Sequence, residues 1–189
     1  TMFSWLTDKR TDKRTAEHVY GAVVAQARQP AFFTQHRVPD TPEGRYEMVV
    51  LNLFLVLDRL RTAGGTTQRV SRYLTERFVT DMDDSMRELG VGDLKVPKKV
   101  KRAAAGLYDR VQEYQAAMAA AHDQALASAI QRNVFTPETT DPPTEPAMAL
   151  ADYMRRSRDA MADQPLQDDS CEPPRFAAIV PSPAQRANP

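Results

Sequence analysis

The sequence predicts an all-α protein: a compact multi-helix body with a long fourth helix, followed by a Pro-rich, loosely ordered C-terminal tail. Three observations carry that prediction. Apolar residues recur at helical spacing along most of the first 135 positions, and no run alternates with period two for long enough to claim a strand. The block from Val49 to Leu57 is apolar at every position but Asn52, a composition that only a buried helix tolerates. All seven glycines lie before Leu107, whereas ten of the 14 prolines lie at or after Pro137, which separates a folded body from a stretch too proline-rich to build a core.

The elements follow in order. Residues 1–15 are expected to be a flexible segment. A first helix is expected over Ala16–Gln29, with Val19, Val23 and Ala27 at helical spacing and Pro30 stopping it. The turn Val38-Pro39-Asp40-Thr41-Pro42-Glu43-Gly44 halts the chain and launches a second helix, about Glu43 to Arg61, which should be the most buried element. Thr66 or Thr67 can cap a third helix carrying the stripe Val70, Tyr73, Leu74, Phe78, Met82, Met86 and Leu89, and Gly90 is placed to end it. A fourth starts near Pro97, and its stripe from Val100 through Leu107, Val111, Tyr114 and Met118 to Ile130 runs on to about Arg132. A straight helix of that length would measure on the order of 50 Å, so a bend is expected. The division is therefore 1–15, a helical domain over 16–135, and a tail over 136–189 with one short helix at Ala147–Met161. Removing the chain after Met161 should leave the body folded and its stability barely changed.

Composition narrows the function. A chain of 189 residues is long enough for one domain with a real core. Lys plus Arg and Asp plus Glu are 25 each, and this neutral balance speaks against a DNA-binding protein. The single cysteine, Cys171, suits a reducing compartment. No apolar run approaches the roughly 20 residues that span a bilayer, and Met2 to Leu6 is too short for a secretory signal. Enzyme chemistry finds few candidates. His18, His36 and His122 fall on separate segments without partners at metal spacing, and Asp81, Asp83 and Asp84 fit a solvated acidic face. Gly64-Gly65 lacks the Lys-Ser/Thr signature of a phosphate loop. Neither catalysis, a metal nor a cofactor is expected.

Four features suit binding instead. Lys95, Lys98, Lys99, Lys101 and Arg102 gather at a helix N-terminus, where cations oppose the macrodipole. They are either a solvated face screened by Asp81, Asp83 and Asp84, or a docking patch for an acidic or phosphate-rich partner such as lipid head groups or ribosomal RNA. Asp40 and Arg45 bracket the entry to the buried helix: Asp40 or Thr41 caps it, Arg45 reaches back to a carboxylate or carbonyl, and the pair is also a candidate for the partner-binding surface. Phe3, Trp5 and Leu6, followed by Lys9, Arg10, Lys13 and Arg14, have the make-up of an interfacial anchor or of a disordered end. Met48, Met82, Met86 and Met118 are either core residues or adaptable contacts for a partner.

Several of these stretches also carry a resemblance. Ala25-Gln26-Ala27-Arg28-Gln29-Pro30-Ala31-Phe32-Phe33, the turn from Val38 to Met48, Asp58-Arg59-Leu60-Arg61, Asp81-Met82-Asp83, the run from Met86 to Leu94 and Val96-Pro97-Lys98-Lys99-Val100-Lys101 occur in the order of one family's pattern. Leu107-Tyr108 with Arg110 and Tyr114, then Arg132-Asn133-Val134-Phe135, extend it, and Leu150-Ala151-Asp152-Tyr153 echoes it. In these residues the chain resembles the ubiquinol-cytochrome c chaperone family over roughly Val19 to Phe135. It departs at Asn52, where the family tends to have His, and at Asp109, where it tends to have Gly. The resemblance implies a non-catalytic assembly chaperone that binds newly made cytochrome b for the bc1 complex; the partner-binding candidates are the residues singled out above by charge and position, Asp40, Arg45, Lys98, Lys99, Lys101 and Arg102. It implies a cytoplasmic location, peripheral on the inner membrane or on the equivalent mitochondrial matrix side, with an anionic membrane surface or the ribosome as a second contact. The alternative is an accessory subunit that stays bound to a larger membrane complex.

Overall fold

The computed structural model describes residues 4–64, 67–88, 90–92, 94–120, 122–135, 142–166 and 172–180. Helices make up its regular structure: α1 (Ser4–Ala27), α2 (Pro30–Thr34), α3 (Pro42–Ala63), α4 (Thr67–Glu88), α5 (Val96–Ala119), α6 (Asp123–Ile130) and α7 (Glu145–Ala160), with a π-helical turn at Gln131–Phe135. Helix α3 is the hub, packing against α1, α4, α5, α7 and the π turn. Every residue from Val50 to Val56 is buried, as the apolar block predicts, and each large side chain so covered contributes about 1.5–3 kcal/mol. Asn52 lies among them without cost to hydrogen bonding. Its Nδ2 donates to Met48 O at 2.8 Å, and its Oδ1 accepts from the Tyr153 hydroxyl at 2.6 Å, which in turn accepts from Gln26 Nε2 at 3.1 Å. The polar atom that breaks the apolar block thus ties α1, α3 and α7 together.

The entry to α3 forms by local chemistry. Thr41 is the N-cap, its hydroxyl accepting from Gly44 N at 3.1 Å, with Pro42 in the first turn. Gly44 cannot be replaced, because a Cβ there would stand 2.0 Å from Pro39 O. Capping therefore falls to Thr41, the second of the two residues the sequence offered. This leaves Asp40 free to pair with Arg45.

Two boundaries differ from the sequence reading. Helix α1 begins at Ser4 rather than Ala16. Residues 10–15 lack an apolar stripe, but Asp12 and Thr15 are buried, and α1 is tied to α4 by Arg69 to Asp12, Arg77 to Glu17 and the Tyr20 hydroxyl to Asp81. The continuous fourth helix is divided: α5 stops at Ala119, and α6 starts at Asp123 with Arg155 paired to Asp123. The expected bend falls in this break.

The C-terminal stretch also departs from a loosely ordered tail. The short helix is present as α7, but Ala147, Leu150, Ala151, Tyr153, Met154 and Met161 are buried in the same core as α3, and Leu166 joins them. Gln164 binds both sides of the returning chain, donating to Pro173 O at 2.7 Å and accepting from Arg175 N at 2.9 Å. Phe176, Ala177 and Ile179 then pack on the core. Prolines here set the path of an extended strap that still has apolar side chains to bury. Residues 136–141, 167–171 (with Cys171) and 181–189 lie outside the described residues, as do residues 1–3.

Candidate functional site

Helices α3 and α5 run side by side in the same direction, and their seam positions the predicted site. At its start the Tyr46 hydroxyl donates to Ala103 O at 3.0 Å. Further along, Arg110 grips Glu47 with Nη2 to Oε1 at 2.8 Å and Nε to Oε2 at 3.3 Å, and Phe54 meets Tyr114 with ring centroids 5.4 Å apart. Burial raises the pKa of Glu47 above the ordinary carboxylate range, against the opposing hydrogen bonds and charge of Arg110. Burial likewise lifts the Tyr46 hydroxyl to about 12. One step outward, Glu113 accepts from Arg132 and, at 2.7 Å, from Asn133 Nδ2, so the π turn is pinned to α5.

Tyr46 is next in sequence to Arg45, and Ala103 to Arg102. The Tyr46–Ala103 hydrogen bond joins the first turns of α3 to α5 at the residue after Arg102. Arg45 Nε and Asp40 Oδ1 are 2.7 Å apart with both side chains more than half exposed, and the Arg45 guanidinium lies 5.8 Å from the Phe33 ring centroid. Lys95, Lys98, Lys99, Lys101 and Arg102 are all exposed. Among the described residues none of the five forms an ion pair. Of the acidic residues that the solvated-face alternative invokes, Asp81 accepts from Tyr20 at 2.9 Å, Asp83 pairs with Arg87 at 2.7 Å, and Asp84 lines a cleft between α1 and α4.

The other candidates divide by burial. Met48 and Met118 are core residues, and Met82 packs on the core. His36 is buried, and burial followed by the nearby Arg156 charge lowers its pKa; His18 and His122 are exposed on separate helices or their edges. Among the described residues no group of three or more His, Cys, Asp or Glu side chains could hold a metal ion. No helix among them is long and apolar enough to cross a membrane. The side chains of Phe3, Trp5, Leu6 and Lys9 lie outside the described residues. Sequence reasoning missed Glu47 and Glu113 as partners of Arg110, Arg132 and Asn133. Leu94, noted only within the resemblance, is exposed beside the lysines. Tyr108, noted only within the resemblance, is exposed on the same helix.

The described residues thus form an all-helical body, with ion pairs within and between helices and a run of exposed cations at the start of α5. The family model for ubiquinol-cytochrome C chaperones matches residues 34–168, and the chain belongs to that family. It is similar to the crystal structure of the Cbp3 homolog from Brucella abortus, with 34% identity and a TM-score of 0.79 over 95% of this chain and 98% of that one. Ubiquinol-cytochrome c reductase complex assembly factor 1 of Mus musculus is 23% identical over 144 residues, 76% of this chain and 48% of the mouse protein. The Xenopus laevis assembly factor 1 is 21% identical over 144 residues, covering 76% of this chain and 70% of that protein. The chain thus spans about half the length of the mouse relative.

Proposed function

We propose that this protein is an assembly chaperone of the ubiquinol-cytochrome c reductase complex that holds newly made cytochrome b until the complex is built. The observation that carries the reading is the family match over residues 34–168, which takes in α3, the seam with α5, the π turn and α7 together. The relatives named as assembly factors and the similar Cbp3 homolog support it. The protein works by binding, without a catalytic step. Asp40 and Arg45 offer the partner an exposed ion pair beside the Thr41 cap, and Lys98, Lys99, Lys101 and Arg102 supply a cationic docking edge. Such a division suits a soluble holder working at a membrane surface, on the cytoplasmic side or its matrix equivalent. The test is capture: cross-linking in cells followed by purification should recover newly made cytochrome b with this protein. Recovery of the assembled complex instead would favour a resident subunit.

A further inference from the structure

We infer that the start of α5 is a membrane-docking tip, in which Leu94 enters the interface of an anionic lipid bilayer while Lys95, Lys98, Lys99, Lys101 and Arg102 engage the head groups. This names the partner of the cationic edge and rests on reading that edge as a docking surface. Leu94 is 98% exposed, the most exposed large hydrophobic side chain among the described residues, of which the others are Tyr108 and Met148. It does not stand on a slack loop. Lys95 N donates to Gly92 O at 2.8 Å, closing a turn with Leu94 at its tip, and Val96 two residues on is fully buried, so the tip is anchored from behind.

On α5 a helical period of 3.6 residues places Lys98, Lys101, Arg102 and Tyr108 on one face, and all four are exposed. An apolar wedge, a ring of cations and an aromatic residue farther back form the composition of an interfacial element. The opposing charges are few: Asp109 lies on the same face, and Asp93 precedes Leu94 in the sequence. The cations alone would fit RNA phosphates equally well. Leu94 decides between them, because a solvent-facing leucine at the apex gains from burial in a bilayer and has nothing to gain from a phosphate backbone.

Vesicle flotation tests this with the full chain. The protein should float with phosphatidylcholine vesicles containing phosphatidylglycerol and not with phosphatidylcholine alone. Leu94→Ser should weaken binding about ten- to a hundredfold, the worth of burying one leucine, with an unchanged thermal melt. Changing Lys98, Lys99, Lys101 and Arg102 to Gln should weaken it about fivefold per charge removed. Because Trp5 is the only tryptophan, a Trp5→Phe, Leu94→Trp variant reports position 94 alone, and its emission should shift to the blue with anionic vesicles. Failure of the parent to float, flotation of Leu94→Ser at the parent level, or an unshifted emission each overturns the inference. So does binding of RNA in preference to vesicles with no dependence on Leu94. Cytochrome b capture is scored separately: if capture persists where flotation fails, only the membrane tip falls, and the chaperone reading stands.

Discussion

Replacing Arg110 with Ala would strand the Glu47 carboxylate between α3 and α5. Glu47 is 6% exposed, and Arg110 supplies both of its side-chain hydrogen bonds. Removing one member of a buried pair costs about 3–5 kcal/mol because the other charge stays behind uncompensated. Against a total stability of about 5–15 kcal/mol this is severe. In a domain of this size each kcal/mol moves the melting temperature by about 2–4 °C, so the variant should melt about 6–20 °C below the parent. The pH dependence gives a second signature. Burial already raises the pKa of Glu47 in the folded state, and loss of Arg110 raises it further above the unfolded value of about 4.3. The folded state then binds more protons than the unfolded one, so the stability of the variant rises as pH falls from about 7 towards 4.3. Adding Glu47→Gln removes the stranded charge and should recover much of the loss. Thermal melts followed by circular dichroism, across pH, make the test. A single variant melting within about 2 °C of the parent, with no gain on acidification, would refute the buried-pair account.

The remaining expectations concern the core and its closure. Tyr153→Phe leaves Asn52 Oδ1 without its donor and should cost about 1–3 kcal/mol in chemical denaturation, with Asn52→Leu in the same background restoring part of it; equal stability of all three proteins would contradict the network. His36 has a lowered folded pKa, from burial and then Arg156, so the unfolded state takes up protons first. Its contribution is present above the unfolded pKa of about 6.5 and is lost as pH falls below it. His36→Phe should therefore lose less stability than the parent between about pH 7 and pH 5, and parallel profiles would rule this out. Ending the chain after Met161 removes Leu166, Phe176 and Ile179 from the core and should cost about 2–4 kcal/mol. An unchanged melt would show that the strap merely lies on the surface.

Much of the fold was legible because its central element is written almost without interruption. Nine positions with one polar residue specify a buried helix, and the Thr41-Pro42-Glu43-Gly44 signals mark its start within a residue. Helix α4 was equally plain, since its stripe Val70, Leu74 and Phe78 is buried as its spacing requires. What escaped were features that depend on distant parts of the chain. Residues 10–15 of α1 look like a polar end until Arg69, 57 positions from Asp12, supplies a partner. Glu47 and Arg110 are 63 positions apart and neither stands in a pattern that announces burial. The proline-rich composition of the C-terminal stretch outweighed its few large apolar residues in a local reading, yet Leu166, Phe176 and Ile179 find the core. The position of the bend between α5 and α6 had no Pro or Gly to mark it. For the candidate site, the cationic run was readable from charge spacing, whereas the partners of Asp81 and Asp83, Tyr20 and Arg87, required the folded structure.

The most direct test of the account follows cytochrome b in time. Cells carrying a tagged form of the protein would be pulse-labelled, cross-linked and sampled through a chase, with the protein purified at each point. Labelled cytochrome b should co-purify early and then leave this protein as it appears in the ubiquinol-cytochrome c reductase complex. Label that never associates with the protein, or that remains with it in the finished complex, would contradict the assembly-chaperone reading.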